Sequence, residues 1–272
     1  MNVGFPCKCS AQLRKYRIRF VVIFPLIMLA ACNSDDRPPL TIAAASSLRG
    51  PLEKLASRYE ARTGDACRMI YGSSGKLTAQ IMAGAPYDLF LAADAVYPDS
   101  LFRAGFALGP PRTFAYGQLI IWSLNAAVPA DTNGLLMSTV KHVALPNPAI
   151  APYGAAAKNY LERVGLWQQL QPKYVYGESV SQASQFVTSG AAELGFTALA
   201  VPLGLPENRR GSHTILSGES VPPIAQTLVI IRRDTDAQPG TQRFTTFLQT
   251  AEARAILQEF GYLTGAEPPR PE

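Results

Sequence analysis

The sequence predicts an α/β fold with mostly parallel sheets, and three observations carry that expectation. Short apolar runs alternate with amphipathic helical stretches from about residue 40 onward. The 272 residues, 47% hydrophobic and 17% charged, hold enough apolar material for a sizeable core and exclude a disordered chain. No repeat of solenoid period and no low-complexity tract interrupts the alternation. At this length one large domain and two modest lobes are both allowed.

The elements follow in order. Residues 40–45 (LTIAAA) form an apolar run that breaks at Ser46-Ser47, as a buried strand does. Leu48, Leu52, Leu55, Ala56 and Tyr59 then share one helical face, with Ser47 at the expected N-cap, Pro51 in the first turn and Gly64 as the stop. Residues 67–71 are the next strand, broken by Gly72-Ser73-Ser74-Gly75. Leu77, Ile81 and Met82 mark a helix that ends at Gly84. Residues 87–92 are a third strand, followed by a helix over about 96–104. The pattern restarts at Gly117 with a strand over 118–124, and a short strand follows at 143–145. The loop 146–153 leads into a helix over about 154–164. Residues 173–176 are a strand that runs through Glu178-Ser179-Val180 into a helix over 182–189, ended by Gly190. Strands at 194–199 and 227–231 and two helices, roughly 240–248 and 252–260, complete the chain.

The formal net charge of +5 does not belong to this folded part. Lys8, Arg14, Lys15, Arg17 and Arg19 are five positive charges with no Asp or Glu before Asp35, so residues 33–272 hold 20 basic and 20 acidic residues. Global charge therefore implies no nucleic-acid partner. Residues 20–31 are uncharged and mostly apolar, but a membrane span needs about 20 such residues, and Pro25 interrupts this run. The basic flank, short apolar core and small residues at its end fit a secretory signal. Leu29-Ala30-Ala31-Cys32 resembles the lipobox of bacterial lipoproteins, which implies a signal peptide over 1–31, a lipid anchor on Cys32 and a polar tether over 32–39. The alternative is an ordinary signal peptide with a chance cysteine. Cys7 and Cys9 would leave with the leader, so Cys67 is the single thiol of the folded part and reads as an inert residue in an apolar strand.

Two strand-to-helix junctions carry paired serines, Ser46-Ser47 and Ser73-Ser74, and two more stand at Pro152-Tyr153-Gly154 and Ser179-Val180-Ser181. In open α/β sheets ligands bind outside the carboxyl ends of the strands. Helix N-termini there offer unpaired N–H groups and the positive end of the helix dipole, which suits an anion. The same serines could serve only as helix caps. Catalytic patterns are missing: GSSG lacks the G-x-S-x-G spacing, and Leu77 stands where a phosphate-binding loop needs Ser or Thr. His142 and His213 both lie outside the junctions, so no histidine triad or metal cluster is apparent. Arg49 and Lys76 lie near two junctions and read as solvated on outer helix faces; Trp122 and Trp167 read as core or hinge packing.

The stretches AAASSL (43–48), YGSSGKLTAQIMAGAPYDLFLAAD (71–94), PNPAIAPYGAAAK (146–158) and ELGFTA (193–198) are similar to the periplasmic molybdate-binding proteins of bacterial ABC importers. That resemblance implies a type II periplasmic-binding-protein fold: two lobes, each a mostly parallel sheet flanked by helices, joined by a two-crossing hinge. It places 40–117 plus 229–264 in the first lobe, 118–228 in the second and 265–272 in a tail. The crossings are expected near 116–119 and 225–228. A tetrahedral oxyanion would lie between the lobes, held by Ser47, with Ser46, and Ser74 from the first lobe and by the backbone N–H groups of Tyr153 and Val180 from the second. The family often has a donor Tyr where this chain has Ala198, so the resemblance implies one donor fewer or a substitute from Ser46 or the Tyr153 side chain.

The chemistry agrees with a dianion that carries no proton. Molybdate, tungstate and sulfate only accept hydrogen bonds, so a cage of N–H and O–H donors satisfies them. Hydrogen phosphate brings a proton that needs an acceptor, and the one carboxylate in the junction motifs is Glu178. Together with the resemblance this implies a monomeric binding protein, not an enzyme, with no cofactor and with molybdenum bound only as its oxyanion. The resemblance implies that it captures molybdate and tungstate and hands them to a membrane permease, from the periplasm and lipid-anchored to a bacterial membrane. The alternatives are a binding protein for another oxyanion such as sulfate, or a lipid-anchored anion sensor.

Overall fold

The apolar runs become buried strands, and the amphipathic stretches between them become helices on the sheet faces. The structure, a computed structural model, describes residues 38–218, 221–233 and 239–265. The expected signal peptide, Cys32, most of the tether and the tail beyond 265 lie outside the described residues.

β1 (Leu40–Ala45) lies between β2 (Cys67–Gly72) and β3 (Leu89–Ala92) and runs parallel to both. Parallel neighbours need a crossover connection, and α1 (Arg49–Thr63) and α2 (Ser74–Met82) supply the two. α3 (Val96–Arg103) leads to β4 (Arg112–Gly117), at the edge of this sheet. Gln118 alone then separates β4 from β5 (Leu119–Ser123), which already belongs to a second sheet. Next come α4 (Thr132–Leu136), β6 (Val143–Pro146), α5 (Pro152–Arg163), α6 (Trp167–Leu170) and β7 (Tyr174–Gly177). α7 (Val180–Thr188), β8 (Leu194–Ala198), α8 (Ala200–Leu203) and β9 (Ser212–Leu216) complete that lobe, in sheet order β7-β6-β8-β5-β9. β10 (Ile224–Ile230) returns to the first sheet, whose order is β2-β1-β3-β10-β4, and α9 (Pro239–Phe247) and α10 (Ala251–Glu259) follow.

Each sheet is mostly parallel in strand direction, with one strand, β10 in the first and β5 in the second, running against the other four. β10 is antiparallel to β3 and β4, and β5 is antiparallel to β8 and β9, while the remaining pairings are parallel. The antiparallel strands are those that carry the chain from one lobe to the other, a reversal that local alternation does not announce. The expected boundary at 228/229 falls inside β10, because Ile224 already pairs with Gly117 and Gln226 and Thr227 are buried in the first sheet. The chain therefore leaves the second sheet after Leu216.

The C-terminal helices complete the first lobe. The Tyr59 ring of α1 meets Phe244 of α9 edge-on at 5.1 Å, and its hydroxyl donates to Asp65 at 2.8 Å with the Gly240 carbonyl 3.2 Å away. Trp122 is wholly buried in β5, whereas Trp167 is half-buried and lies 4.8 Å from the Tyr174 ring. Cys67 opens β2 half-buried, and burial pushes its thiol up to about 12, so it stays protonated and unreactive.

Candidate functional site

Each lobe presents two strand ends from which a helix begins. In the first, β1 does not pass straight into α1. A 3-10 turn, Ser46–Leu48, intervenes, and Leu48 is the N-cap of α1 without a side-chain bond. Ser47 is thus not the cap that helical spacing suggests, since the turn has moved the helix start beyond it. Its side chain is buried, and its Oγ has no hydrogen-bond partner among the described residues. At the second junction Ser73 caps α2, its Oγ accepting from the Lys76 N–H at 3.4 Å. Ser74, fully buried, accepts from the Ala93 N–H at 3.1 Å and so ties the start of α2 to the end of β3.

In the second lobe, Pro152 opens α5 and has no N–H to give. The ladder begins with Ala155 donating to the Ala151 carbonyl at 3.0 Å, so the N–H groups of Tyr153 and Gly154 stand ahead of it. Ser179 caps α7, accepting from the Gln182 N–H at 3.3 Å, and Val180 is the first helical residue.

Contacts across the cleft bring all four junctions together. The Ser181 N–H donates to Ser46 Oγ at 3.1 Å, and Ser181 Oγ donates to the Ser46 carbonyl at 3.4 Å. The Gly75 N–H donates to the Ile150 carbonyl at 2.9 Å, and the Tyr97 hydroxyl donates to the Ala149 carbonyl at 3.2 Å. Lys76 Nζ reaches Glu178 at 2.8 Å. The lobes therefore stand closed, with Ser46, Ser47 and Ser74 on one side and the first turns of α5 and α7 on the other. A cavity of about 340 Å³ opens beside them, lined by Ser46, Ser73, Ser179 and Ser181 and flanked by Arg49 and Lys76.

The hydroxyl chemistry is directional. A serine that accepts an N–H through its lone pair keeps its own hydrogen to donate. Ser46 and Ser74 are both in that state, and Ser47 has its hydrogen uncommitted. A buried hydroxyl without a partner costs about 1–3 kcal/mol, which an acceptor-only guest would relieve. The charged groups stay at the rim: Lys76 and Glu178 are 52% and 65% exposed, and the Lys76 ammonium holds the Glu178 carboxyl below its usual range. Arg49 pairs with Glu53 at 3.4 Å and lies 4.1 Å over the Tyr71 ring. Among the described residues no group of three or more His, Cys, Asp and Glu could hold a metal ion.

Three participants escaped the reading of the sequence. Ser181 belonged to a recognised junction, but nothing local marks its bond to Ser46. Asp94 follows the Ala93 that holds Ser74, and burial pushes its carboxyl up to about 6. The hydroxyl of Tyr262, far along the chain, donates to the Ser47 carbonyl at 2.9 Å. Ala198 is fully buried at the end of β8, and the Tyr153 hydroxyl is directed to the hinge beside Gly117.

Comparison with known proteins adds the following. A family model described as bacterial extracellular solute-binding protein matches residues 40–263. The Molybdate-binding protein ModA of Azotobacter vinelandii is 35% identical over 86% of this chain and 93% of its own length. That of Rhodobacter capsulatus is 33% identical over 82% of this chain and 87% of its own. The solved structure of the Azotobacter vinelandii periplasmic molybdate-binding protein superposes with a TM-score of 0.76 at 37% identity, covering 83% of this chain and 99% of that one.

Proposed function

The chain belongs to the bacterial extracellular solute-binding protein family, among the relatives of the periplasmic molybdate-binding proteins, and from that premise we propose that it captures molybdate between its lobes for an ABC importer. The observation that supports this reading is the pairing of helix starts across the cleft, α7 on Ser46 and α2 on the loop before α5, beside serine hydroxyls whose hydrogens are free to donate. Ser46, Ser47 and Ser74 donate from the first lobe, and the N–H groups of Tyr153 and Val180 donate from the second. Such a site replaces the water shell of a dianion with fixed dipoles and puts no buried charge opposite it, which avoids the desolvation penalty of a buried ion pair. Glu178 is occupied by Lys76 at the rim, so no junction carboxylate serves as acceptor for the proton of hydrogen phosphate.

Tungstate, with the same shape and charge, binds as well. The protein works as a monomeric transport component and not as a catalyst, with the lobes divided as the two sheets divide the chain. Cys32 carries the lipid that holds it to the membrane on the periplasmic side, and a permease of the importer receives the anion. Calorimetric titration with molybdate, tungstate, sulfate and phosphate tests the central claim. Tight binding of the first two alone is expected. Equal affinity for sulfate would make this a binding protein for that smaller oxyanion, and no binding of any of the four would end the oxyanion reading.

A further inference from the structure

We propose that the phenol of Tyr153 is a positioning residue for this site: it seats against Gly117 only when the lobes close, and the fit there sets how near the second lobe's donors come to the first lobe's serines. The inference rests on the oxyanion reading of the cleft and adds to it a residue contact at the hinge. Tyr153 is 0% exposed, and its side chain runs from the first turn of α5 to the last residue of β4, next to the crossing residue Gln118. A Cβ at Gly117 would lie 2.0 Å from the Tyr153 hydroxyl oxygen, 3.1 Å from Gln226 Nε2 and 3.2 Å from the Tyr153 Cζ. Gly117 is not in the left-handed region, so glycine stands there for space and not for backbone freedom. The hydroxyl oxygen is the one atom that would overlap badly.

The other side of the phenol faces the first half of the anion site. Tyr153 and Tyr262 lie close enough that each phenol affects the ionisation of the other, and the Tyr262 hydroxyl donates to the Ser47 carbonyl at 2.9 Å. Tyr262 is held in turn by its neighbours. Leu263 and Tyr116 exchange two backbone hydrogen bonds of 2.8 Å, and Gln118 Nε2 donates to the Gly261 carbonyl at 2.8 Å. One ring therefore touches the hinge at Gly117 and the support of Ser47 at Tyr262, while its own backbone N–H is a donor of the opposite half-site. A movement of the hinge is transmitted to both halves through contacts that are close-packed and not easily deformed.

The test compares four full chains, wild type, Gly117→Ala, Tyr153→Phe and the double variant, by calorimetric titration with sodium molybdate and by small-angle scattering with and without it. Gly117→Ala should fold normally without the anion, bind it at least about tenfold more weakly and fail to compact, because overpacking arises only on closure. Tyr153→Phe should bind about threefold more weakly than wild type, because the seat on Gly117 loosens while the backbone donor remains. The double variant should recover to near the Tyr153→Phe level, since the overlapping oxygen is gone. A Gly117→Ala chain that binds and compacts like wild type, or a double variant as weak as Gly117→Ala, would overturn the proposal alone. A Gly117→Ala chain that is unfolded without ligand would also overturn it, by placing the contact in the resting state. Wild type that binds no oxyanion would remove the functional reading and this inference with it.

Discussion

Ser47 and Ser74, the proposed donors, differ in the bonds they already make. Ser74 is held by the Ala93 N–H and has one hydrogen to give, whereas Ser47 has no bond at all from its buried Oγ among the described residues. A hydrogen bond to a charged group contributes about 1.5–3 kcal/mol, so replacing both serines by alanine should weaken molybdate binding at least about a hundredfold. Titration of the Ser47→Ala, Ser74→Ala double variant measures this, and unchanged affinity would refute the site. Asp94 makes a different prediction. Its carboxyl accepts from the Tyr97 N–H at 3.0 Å, yet burial outweighs that bond and pushes it up to about 6. An unfolded Asp titrates near 3.9, so the folded state holds more protons between about pH 4 and 6. Stability therefore falls as pH rises through that window and stays lower above it. Asp94→Asn, which cannot ionise, should flatten the denaturation midpoint between pH 4 and 7, whereas a slope like that of wild type would show that another group is responsible.

At the scale of elements, the helix starts must lie close to the strand ends for their dipoles to converge. A Cβ at Gly154 would lie 2.1 Å from the Pro146 carbonyl oxygen at the end of β6. Gly154→Ala should push the first turn of α5 off the sheet and carry the Tyr153 N–H with it. Overpacking of that kind costs roughly 1–3 kcal/mol, to be seen as a lower melting temperature together with weaker molybdate binding. A variant that loses stability but keeps full affinity would detach α5 from the site. The junctions themselves were legible in the sequence, because Ser, Gly and Pro stand where apolar strands end and helical periodicity begins. β4 and β9 were not legible. β4 is exposed over its first half and β9 over nearly all its length, so neither carries the alternation that marks a half-buried strand. The start of β10 was missed for a related reason: Gln226 is a polar residue buried by its neighbours in the first sheet, not by its own composition. The Tyr153–Gly117 contact could not be read at all, since a tyrosine at a helix start and a glycine at a strand end each have sufficient local reasons.

For the whole molecule the question is what keeps the two lobes shut. Among the described residues the direct bonds between them include Ser181 to Ser46 twice, Gly75 to Ile150 and Tyr97 to Ala149. At about 1 kcal/mol net each, and less where water competes, they sum to roughly 3–4 kcal/mol. The Lys76–Glu178 pair is exposed and adds about 0–1 kcal/mol. Against them stands the buried Ser47 Oγ, which has no partner among the described residues and is unfavourable by about 1–3 kcal/mol. That uncommitted hydroxyl opposes closure without an anion, and a guest that accepts from Ser47 removes the cost. The ligand-free protein is therefore expected to open, with a radius of gyration that falls when molybdate is added. At a thousandfold excess over Kd the anion should stabilise the fold by about 4 kcal/mol, measurable as a rise in melting temperature. High salt should leave the compaction intact, because screening acts on the exposed ion pair and hardly on buried dipoles. Scattering curves that coincide with and without saturating molybdate would show that the closed arrangement is self-sufficient and that the Ser47 hydroxyl carries no such penalty.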